Sequence, residues 1–185
     1  MTESLKSRLL VATPDLADPN FSRTVVLVLE HNDDGALGVV LNRPGGLDVD
    51  EPLPEWAGLA APPAAVFVGG PVASGTVIAL AAGNETDDEP DGWVRLFEGL
   101  GAVDVGREPT EVRPAIEAVR VFSGYAGWAP GQLDGEVDAG GWFVVASLPG
   151  DVFTDDPEHL WSEVLRRQSG RVRIFAGCPS DPSTN

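Results

Sequence analysis

The chain has 185 residues, of which 43% are hydrophobic, and this length and composition are typical of a single globular domain. Twelve basic residues face 29 acidic ones, which gives a formal net charge of −17. Binding to duplex DNA requires several phosphate contacts from Lys or Arg, so this charge argues against a DNA-binding regulator. The single cysteine, Cys178, excludes an intrachain disulfide and favours a reducing compartment. Because the sequence shows neither a signal peptide nor a membrane-spanning run, we expect a cytoplasmic protein.

The first half of the chain consists of apolar, β-branched runs separated by turn residues, a pattern typical of strands joined in hairpins. Residues 8–13 predict a first strand, and residues 24–31 predict a central strand that is apolar on both faces. The turn Asn32–Gly35 joins this strand to a third one over residues 36–42. A helical turn is predicted over residues 54–59, and further strands over residues 64–68, 77–81 and 93–97.

The second half adds strands over residues 118–122, 142–148 and 171–175 and a short helix over residues 130–137. The main helix is predicted over residues 157–169, with Asp156 as its N-cap, Pro157 at the first position and Gly170 as its stop. Many strands with few helices favour an α+β fold over a doubly wound parallel sheet. We expect one compact domain over residues 1–178, followed by a disordered tail over residues 179–185.

A hydrolytic site is the alternative that the sequence leaves open. Ser123 follows a predicted strand, but the nucleophile-elbow pattern G-x-S-x-G is absent because Val121 stands two residues before it. The two histidines are His31, at the end of the central strand, and His159, on the main helix. Two histidines and one thiol match no metal-ligand spacing, so we expect no metal and no cofactor. A small hydrolase using Ser123 or His31 therefore stays an alternative, while a non-catalytic protein is favoured.

One acidic segment nearly matches a calcium-binding loop. Residues 87–98 place acids at the first, third and fifth positions, Gly92 at the sixth and Glu98 at the twelfth. An EF-hand needs a helix on each side, and Gly83 and Gly99 stand where those helices would run. We therefore interpret the segment as a solvated loop that binds calcium no better than any acidic surface.

Several runs follow one another in a fixed order: Leu10–Pro14, Glu30–Asn32, Gly35–Pro44, Gly69–Val72, Gly124–Leu133 and then Trp142. Their order and spacing resemble the YqgE/AlgH family of bacterial proteins, over about residues 5–173. This resemblance implies an α+β fold with a bifurcated, mostly antiparallel sheet that is curled into a pseudo-barrel. It also brings the family's label of transcriptional regulator, which the net charge of −17 does not favour. The family has no established catalytic residues to carry over to this chain.

The segment Gly124–Leu133 has the composition of a recognition surface. Its glycines permit tight turns, and it carries two amphipathic aromatic residues, Tyr125 and Trp128. Gln132 adds both a hydrogen-bond donor and an acceptor. The alternative is that the two aromatic residues belong to the core.

Three strand-end residues, His31, Asn42 and Arg43, are predicted to join this segment in one binding surface. His31 and the Asn42–Arg43 pair lie at opposite ends of their hairpin, so convergence requires the curled sheet to bring both ends together. The alternative is that Arg43 and Gln132 merely satisfy buried carbonyl groups. The sequence thus predicts a non-catalytic binding or regulatory protein with an unknown protein or small-molecule partner, without specific nucleic-acid binding and without membrane association.

Overall fold

The computed structural model describes residues 3–84, 89–97 and 99–179 and has an α+β fold built on one curled sheet. The ten strands of the described residues are β1 (Arg8–Ala12), β2 (Val25–Asn32), β3 (Gly35–Val40), β4 (Pro44–Asp48), β5 (Ala65–Val68), β6 (Val72–Gly83), β7 (Trp93–Phe97), β8 (Leu100–Val103), β9 (Ile116–Trp128) and β10 (Trp142–Ala146). Their main order is β10-β1-β2-β3-β9-β6-β8-β7, while β4 pairs with β5 and β5 with β9. All these pairs are antiparallel except β5 with β9. The predicted fold class is confirmed.

The sheet divides along β9, its longest strand. One edge of β9 pairs with β6 from Ile116 to Tyr125, while the other edge pairs first with β5 and then with β3. Gly124 lies at this division with φ +73°, and a Cβ atom there would lie 2.7 Å from the carbonyl oxygen of Gly70. Only glycine fits this position without strain. The predicted strand over residues 118–122 is therefore too short, because residues 123–128 continue it.

Three apolar clusters pack against the sheet. The central cluster includes Leu9, Leu27 and Phe122 and is shared by both halves of the sheet. A second cluster takes the alternate residues of β1 to β3, as the two-residue period of a strand requires. A third covers the other face of β6 and the first half of β9.

Short helices cover these clusters. The α-helices are α1 (Pro109–Val112), α2 (Gln132–Asp138), α3 (Pro149–Val152) and α4 (Leu160–Arg166), and 3-10 helices span Pro54–Leu59, Arg113–Ala115 and Gly170–Gly177. α4 contributes to the central cluster and α2 to the second. The third cluster is closed by Trp56 of the first 3-10 helix and by Val112 of α1.

The main helix is shorter than predicted. α4 begins after His159, which is its N-cap in place of Asp156, and Pro157 precedes the helix. The Asp156 carboxylate instead binds the His159 ring at 2.8 Å. Asp156, the predicted N-cap, thus forms its hydrogen bond with a side chain and not with the first backbone N–H groups of the helix.

The predicted last strand, residues 171–175, is wrong, because this segment belongs to a 3-10 helix. Val172 and Phe175 pack against the central cluster, whereas Ile174 is 75% exposed. A spacing of three residues between inward side chains matches the three-residue turn of a 3-10 helix.

The predicted calcium loop includes Asp87, Asp88 and Glu98, and these residues lie outside the described part of the chain, as do residues 180–185 of the predicted tail.

A buried arginine holds the curl together. Arg120, on β9, is 1% exposed and stacks over the ring of Phe67 at 4.2 Å. Its guanidinium group donates to five carbonyl oxygens, which belong to Ala61, Pro62, Pro63, Val152 and Thr154. Burial lowers the pKa of Arg120 to about 10, so the group remains charged at neutral pH. This one side chain joins the loop before β5 and the end of α3 to the centre of the sheet.

Candidate functional site

His31 fastens the N-terminal segment to the β2–β3 hairpin. Its Nδ1 atom accepts a hydrogen bond from the backbone N–H of Leu5 at 2.9 Å, and Nε2 lies 3.5 Å from the Asp134 carboxylate. The imidazole is 8% exposed. His31 therefore joins three parts of the chain: the N-terminal segment, the hairpin and α2.

Asn42 and Arg43 lie at the other end of the hairpin. Asn42 accepts from the backbone N–H of Val25 and donates to the carbonyl of Arg23, both at 2.9 Å. Arg43 donates to the carbonyl groups of the loop residues Pro19, Asn20 and Ser22. Partial burial lowers the pKa of Arg43, and the charge of Asp18 opposes this effect. Both side chains thus satisfy backbone groups, as the alternative predicts for Arg43.

Trp128 and Gln132 meet at a carboxylate that the sequence analysis did not single out. Glu136, one turn after Gln132 on α2, accepts the indole N–H groups of Trp128 and Trp142 and the amide of Gln132, each at 2.9 Å. Gln132 also accepts from the N–H of Ala129 at 3.0 Å. Trp128 is 6% exposed, and its ring stacks on other rings within the second cluster. A hollow of about 210 Å³ at the β2–β3 turn adjoins it.

Tyr125 lies on the opposite face of β9 from Trp128, because it packs against the central cluster. Ala36 pairs with both His31 and Trp128, so these two residues share one end of the sheet with Gln132. Arg43 binds carbonyl groups of the loop between β1 and β2. That loop contacts the end of the sheet with His31 and Trp128 through Phe21, whose ring stacks on Trp128 at a centroid distance of 6.2 Å. The six predicted residues therefore do not form one continuous surface, and a binding role for them stays a prediction.

The two residues of the hydrolase alternative are apart. Ser123 donates its hydroxyl to the carbonyl of Ser74. It stands five residues before Trp128, which is level with His31 across the sheet. Five residues of strand correspond to roughly 16 Å. His31 thus lies too far from Ser123 to act as its base.

A cleft of about 570 Å³ lies between the β1–β2 part of the sheet and the β7–β8 arm. Its floor consists of Leu9, Leu27, Leu100 and Val152, which are at most 3% exposed. Leu148 stands at its rim and is 52% exposed. The cleft therefore has a base of almost fully covered apolar side chains and an exposed apolar side chain at its rim.

The polar groups of the cleft are fixed by the protein itself. Asp151 forms two hydrogen bonds with the guanidinium of Arg167, at 2.6 and 2.7 Å, and accepts the backbone N–H of Leu148 at 2.7 Å. Ser147 donates to the carbonyl of Ser7 at 2.7 Å. These bonds set the position of α3 and of the rim, so the cleft is preformed.

Two further properties concern the described residues only. Within residues 3–84, 89–97 and 99–179, no group of three or more His, Cys, Asp or Glu side chains could hold a metal ion. In the same ranges, no helix is long and apolar enough to cross a membrane.

The cleft has no local sequence signature, because its lining comes from β1, β2, β6, β7, β8 and α3. Arg120 does have a local sequence signature, because it is the charged residue inside the apolar run of residues 118–122. The sequence signature of Glu136 is its spacing of four residues from Gln132, which places both residues on one face of a helix.

Relatives of this chain span nearly its whole length. A UPF0301 protein of Streptomyces coelicolor is 52% identical over 190 residues, covering 100% of this chain and 98% of the relative. A UPF0301 protein of Thermobifida fusca is 47% identical and covers 98% of this chain and 96% of the relative.

Two solved structures share the fold. The crystal structure of a Corynebacterium diphtheriae protein matches with a TM-score of 0.87 and 32% identity, over 95% of this chain and 93% of that one. The solution structure of the AlgH protein from Pseudomonas aeruginosa matches with a TM-score of 0.70 and 28% identity, over 97% and 98%. The AlgH-like family, DUF179, matches residues 9–173. On these matches, and as the sequence resemblance predicted, the chain belongs to the AlgH-like family.

Proposed function

We propose that this protein is a non-catalytic binding protein that takes a small, partly apolar molecule in the cleft between the β1–β2 part of the sheet and the β7–β8 arm. The observation that carries this proposal is the cleft volume of about 570 Å³. Small-molecule sites in proteins usually enclose about 300–1,000 Å³ and are lined mainly by apolar side chains with a few fixed polar groups.

The lining favours an apolar ligand body. Leu9, Leu27 and Leu100 present apolar atoms at the base of the cleft, and Leu148 adds an exposed side chain at the rim. Contact with a ligand would remove the exposed side chain of Leu148 from water, which is worth about 25 cal/mol per Å² of apolar surface. Asn84 and Arg95 also line the cleft and could orient a polar end of the ligand.

The catalytic alternative gains no support from the arrangement of the described residues. Neither Ser123 nor His31 lines the cleft, and each is hydrogen-bonded to a backbone group elsewhere. The sequence also predicted a binding surface around Trp128 and Gln132. A ligand of that surface would bind at the hollow beside Trp128.

The test uses the fluorescent dye anilinonaphthalene sulfonate as the first probe, because it combines an apolar body with a charged end. We expect saturable binding at one site, and Leu148→Ser should weaken it about fivefold, as loss of about 1 kcal/mol of apolar contact implies. Ile174→Ser is the matched control, since Ile174 is 75% exposed and does not line the cleft. Binding that is unsaturable, or that both variants weaken equally, would refute the proposal.

The natural ligand can be sought with the same pair of variants. The protein is purified from its native cells without denaturation, and the retained small molecules are identified by mass spectrometry. A compound retained by wild type and Ile174→Ser but lost from Leu148→Ser would be the ligand of the cleft. A compound lost equally from both variants would bind elsewhere.

A further inference from the structure

Two valines on neighbouring strands leave an apolar patch on the surface. Val68 of β5 and Val77 of β6 both pair with Ser123 of β9, one on each side. Val68 is 45% exposed and Val77 is 51% exposed. Adjacent strands are about 4.8 Å apart, so the two valines lie roughly 10 Å from each other. Ser123 stands between them, and its hydroxyl donates to the carbonyl of Ser74.

This valine patch, defined as Val68, Ser123 and Val77, continues a face that is covered elsewhere. Ala79 and Val121, two residues further along their strands, belong to the third cluster and are buried. The cover over that cluster includes the 3-10 helix Pro54–Leu59, and Ala60, directly after it, forms a bridge to Val119. The cover does not extend to Val68 and Val77, which are exposed.

The surroundings of the patch are acidic. Residues 44–94 contain nine Asp and Glu residues and no Lys, Arg or His. Four of these carboxylates are exposed on the segments beside the patch: Asp48, Asp50, Glu51 and Glu55. Val49 and Trp56, next to Asp50 and Glu55, belong to the third cluster, so these two carboxylates lie on segments that cover the same face as the patch. Asp48 pairs with Ala65 of the central cluster and lies on the other face.

The nearest cations do not neutralise this surface. Arg43 precedes β4, but its guanidinium is bound to the carbonyl groups of residues 19, 20 and 22. Arg120 is buried on the other face of β9, against Phe67. The patch is therefore apolar, and the segment of residues 48–55, which covers the same face further along β9, carries exposed carboxylates and no cation.

We infer that the valine patch and the acidic segment of residues 48–55 are a docking surface for a basic segment of another protein, in which apolar side chains stand between Lys or Arg residues. Apolar contact would cover Val68 and Val77, and the cations would meet the carboxylates of residues 50–55. A second copy of this chain does not fit, because it would place two faces of a protein with net charge −17 against each other. This surface is separate from the cleft, and it goes beyond the proposed ligand function.

The test uses a synthetic peptide of alternating valine and lysine and its counterpart of valine and glutamate. We expect the first peptide to bind saturably and the second not to bind. Nuclear magnetic resonance shifts should map to residues 68, 77 and 123. Val68→Ser and Val77→Ser should each weaken binding about fivefold and the double variant more, since apolar contact is lost without a change in charge.

Two matched controls separate the patch from general attraction to an acidic protein. Val94→Ser makes the same substitution at a strand residue that is 63% exposed and remote from the patch, and it should leave affinity within about twofold. Glu55→Gln should weaken binding, whereas Glu158→Gln, near α4, should not. Equal effects of Val77→Ser and Val94→Ser would overturn the inference. Concentration-dependent self-association that Val77→Ser abolishes would also overturn it, because the occupant would then be a second copy.

Discussion

Replacing Arg120 with methionine should destabilise the protein strongly, although it removes a buried charge. Methionine fills much of the arginine volume without a hydrogen-bond donor. The five carbonyl groups of Ala61, Pro62, Pro63, Val152 and Thr154 would lose their guanidinium donors. The loop before β5 and the end of α3 would then have no common attachment to β9.

Two opposing terms set the size of the effect. The Pro63 carbonyl keeps the backbone N–H of Ala65 as a donor. A buried carbonyl left without a donor costs about 1–3 kcal/mol, so the other four cost roughly 4–12 kcal/mol. Removing the charge recovers part of this cost, because burial lowers the pKa of Arg120 from 12.5 to about 10. Such a shift corresponds to about 3 kcal/mol. We therefore expect the free energy of unfolding to fall by about 4 kcal/mol, in line with other broken buried networks.

The assay is equilibrium unfolding in urea, followed by the fluorescence of the five tryptophans. Arg120→Lys should also destabilise, by about 2–3 kcal/mol, because an ammonium group has at most three donors and lacks the planar geometry that reaches all five carbonyl oxygens. Arg113→Met is the control: Arg113 is exposed, and the change should be within about 0.5 kcal/mol. If Arg120→Met unfolds within about 1 kcal/mol of wild type, the carbonyl groups find other donors and the reasoning fails.

Three further predictions follow from the contacts described above. Trp128→Ala should lower the free energy of unfolding by about 3–5 kcal/mol in urea, because the indole is 6% exposed; an unchanged midpoint would show that the ring is not core. The pKa of His159, raised by its hydrogen bond to Asp156, should lie above 6.5 in an NMR titration and fall in Asp156→Asn. The stabilisation from this pair should be complete below pH 6.5 and disappear as pH rises through the raised pKa. Asp151→Asn should cost about 2 kcal/mol and weaken dye binding in the cleft, since it breaks the bidentate pair between the buried Asp151 and the exposed Arg167; tight dye binding with lowered stability would mean that the pair does not shape the cleft.

The strands of the first half were predictable because their residues follow the two-residue period on buried faces. The prediction placed β1, β2 and β3 within two residues of their bounds. It failed at Gly124, where glycine was interpreted as a turn residue but serves a close approach inside a continuous strand. Had residues 123–128 been predicted as strand, the same period would have placed Tyr125 and Trp128 on opposite faces.

The C-terminal error has a different cause. Residues 171–175 alternate basic and apolar side chains, which indicates a strand, but Val172 and Phe175 fit a three-residue period equally well. The cleft could not be predicted at all, because no local pattern connects Leu9, Leu27 and Leu100 before the sheet curls.

The polar residues of the sequence motifs form hydrogen bonds with the backbone of this protein. His31 and Asn42 receive the N–H groups of Leu5 and Val25, Arg43 binds three loop carbonyls, and Gln132 receives an N–H before α2. Side chains that complete the hydrogen bonding of strand ends and loops are needed for the fold whatever the protein binds. Apolar surface left open to water has no such structural reason. The cleft and the valine patch are therefore where binding is best tested, and substitutions of exposed apolar residues test it without disturbing the polar contacts that the fold requires.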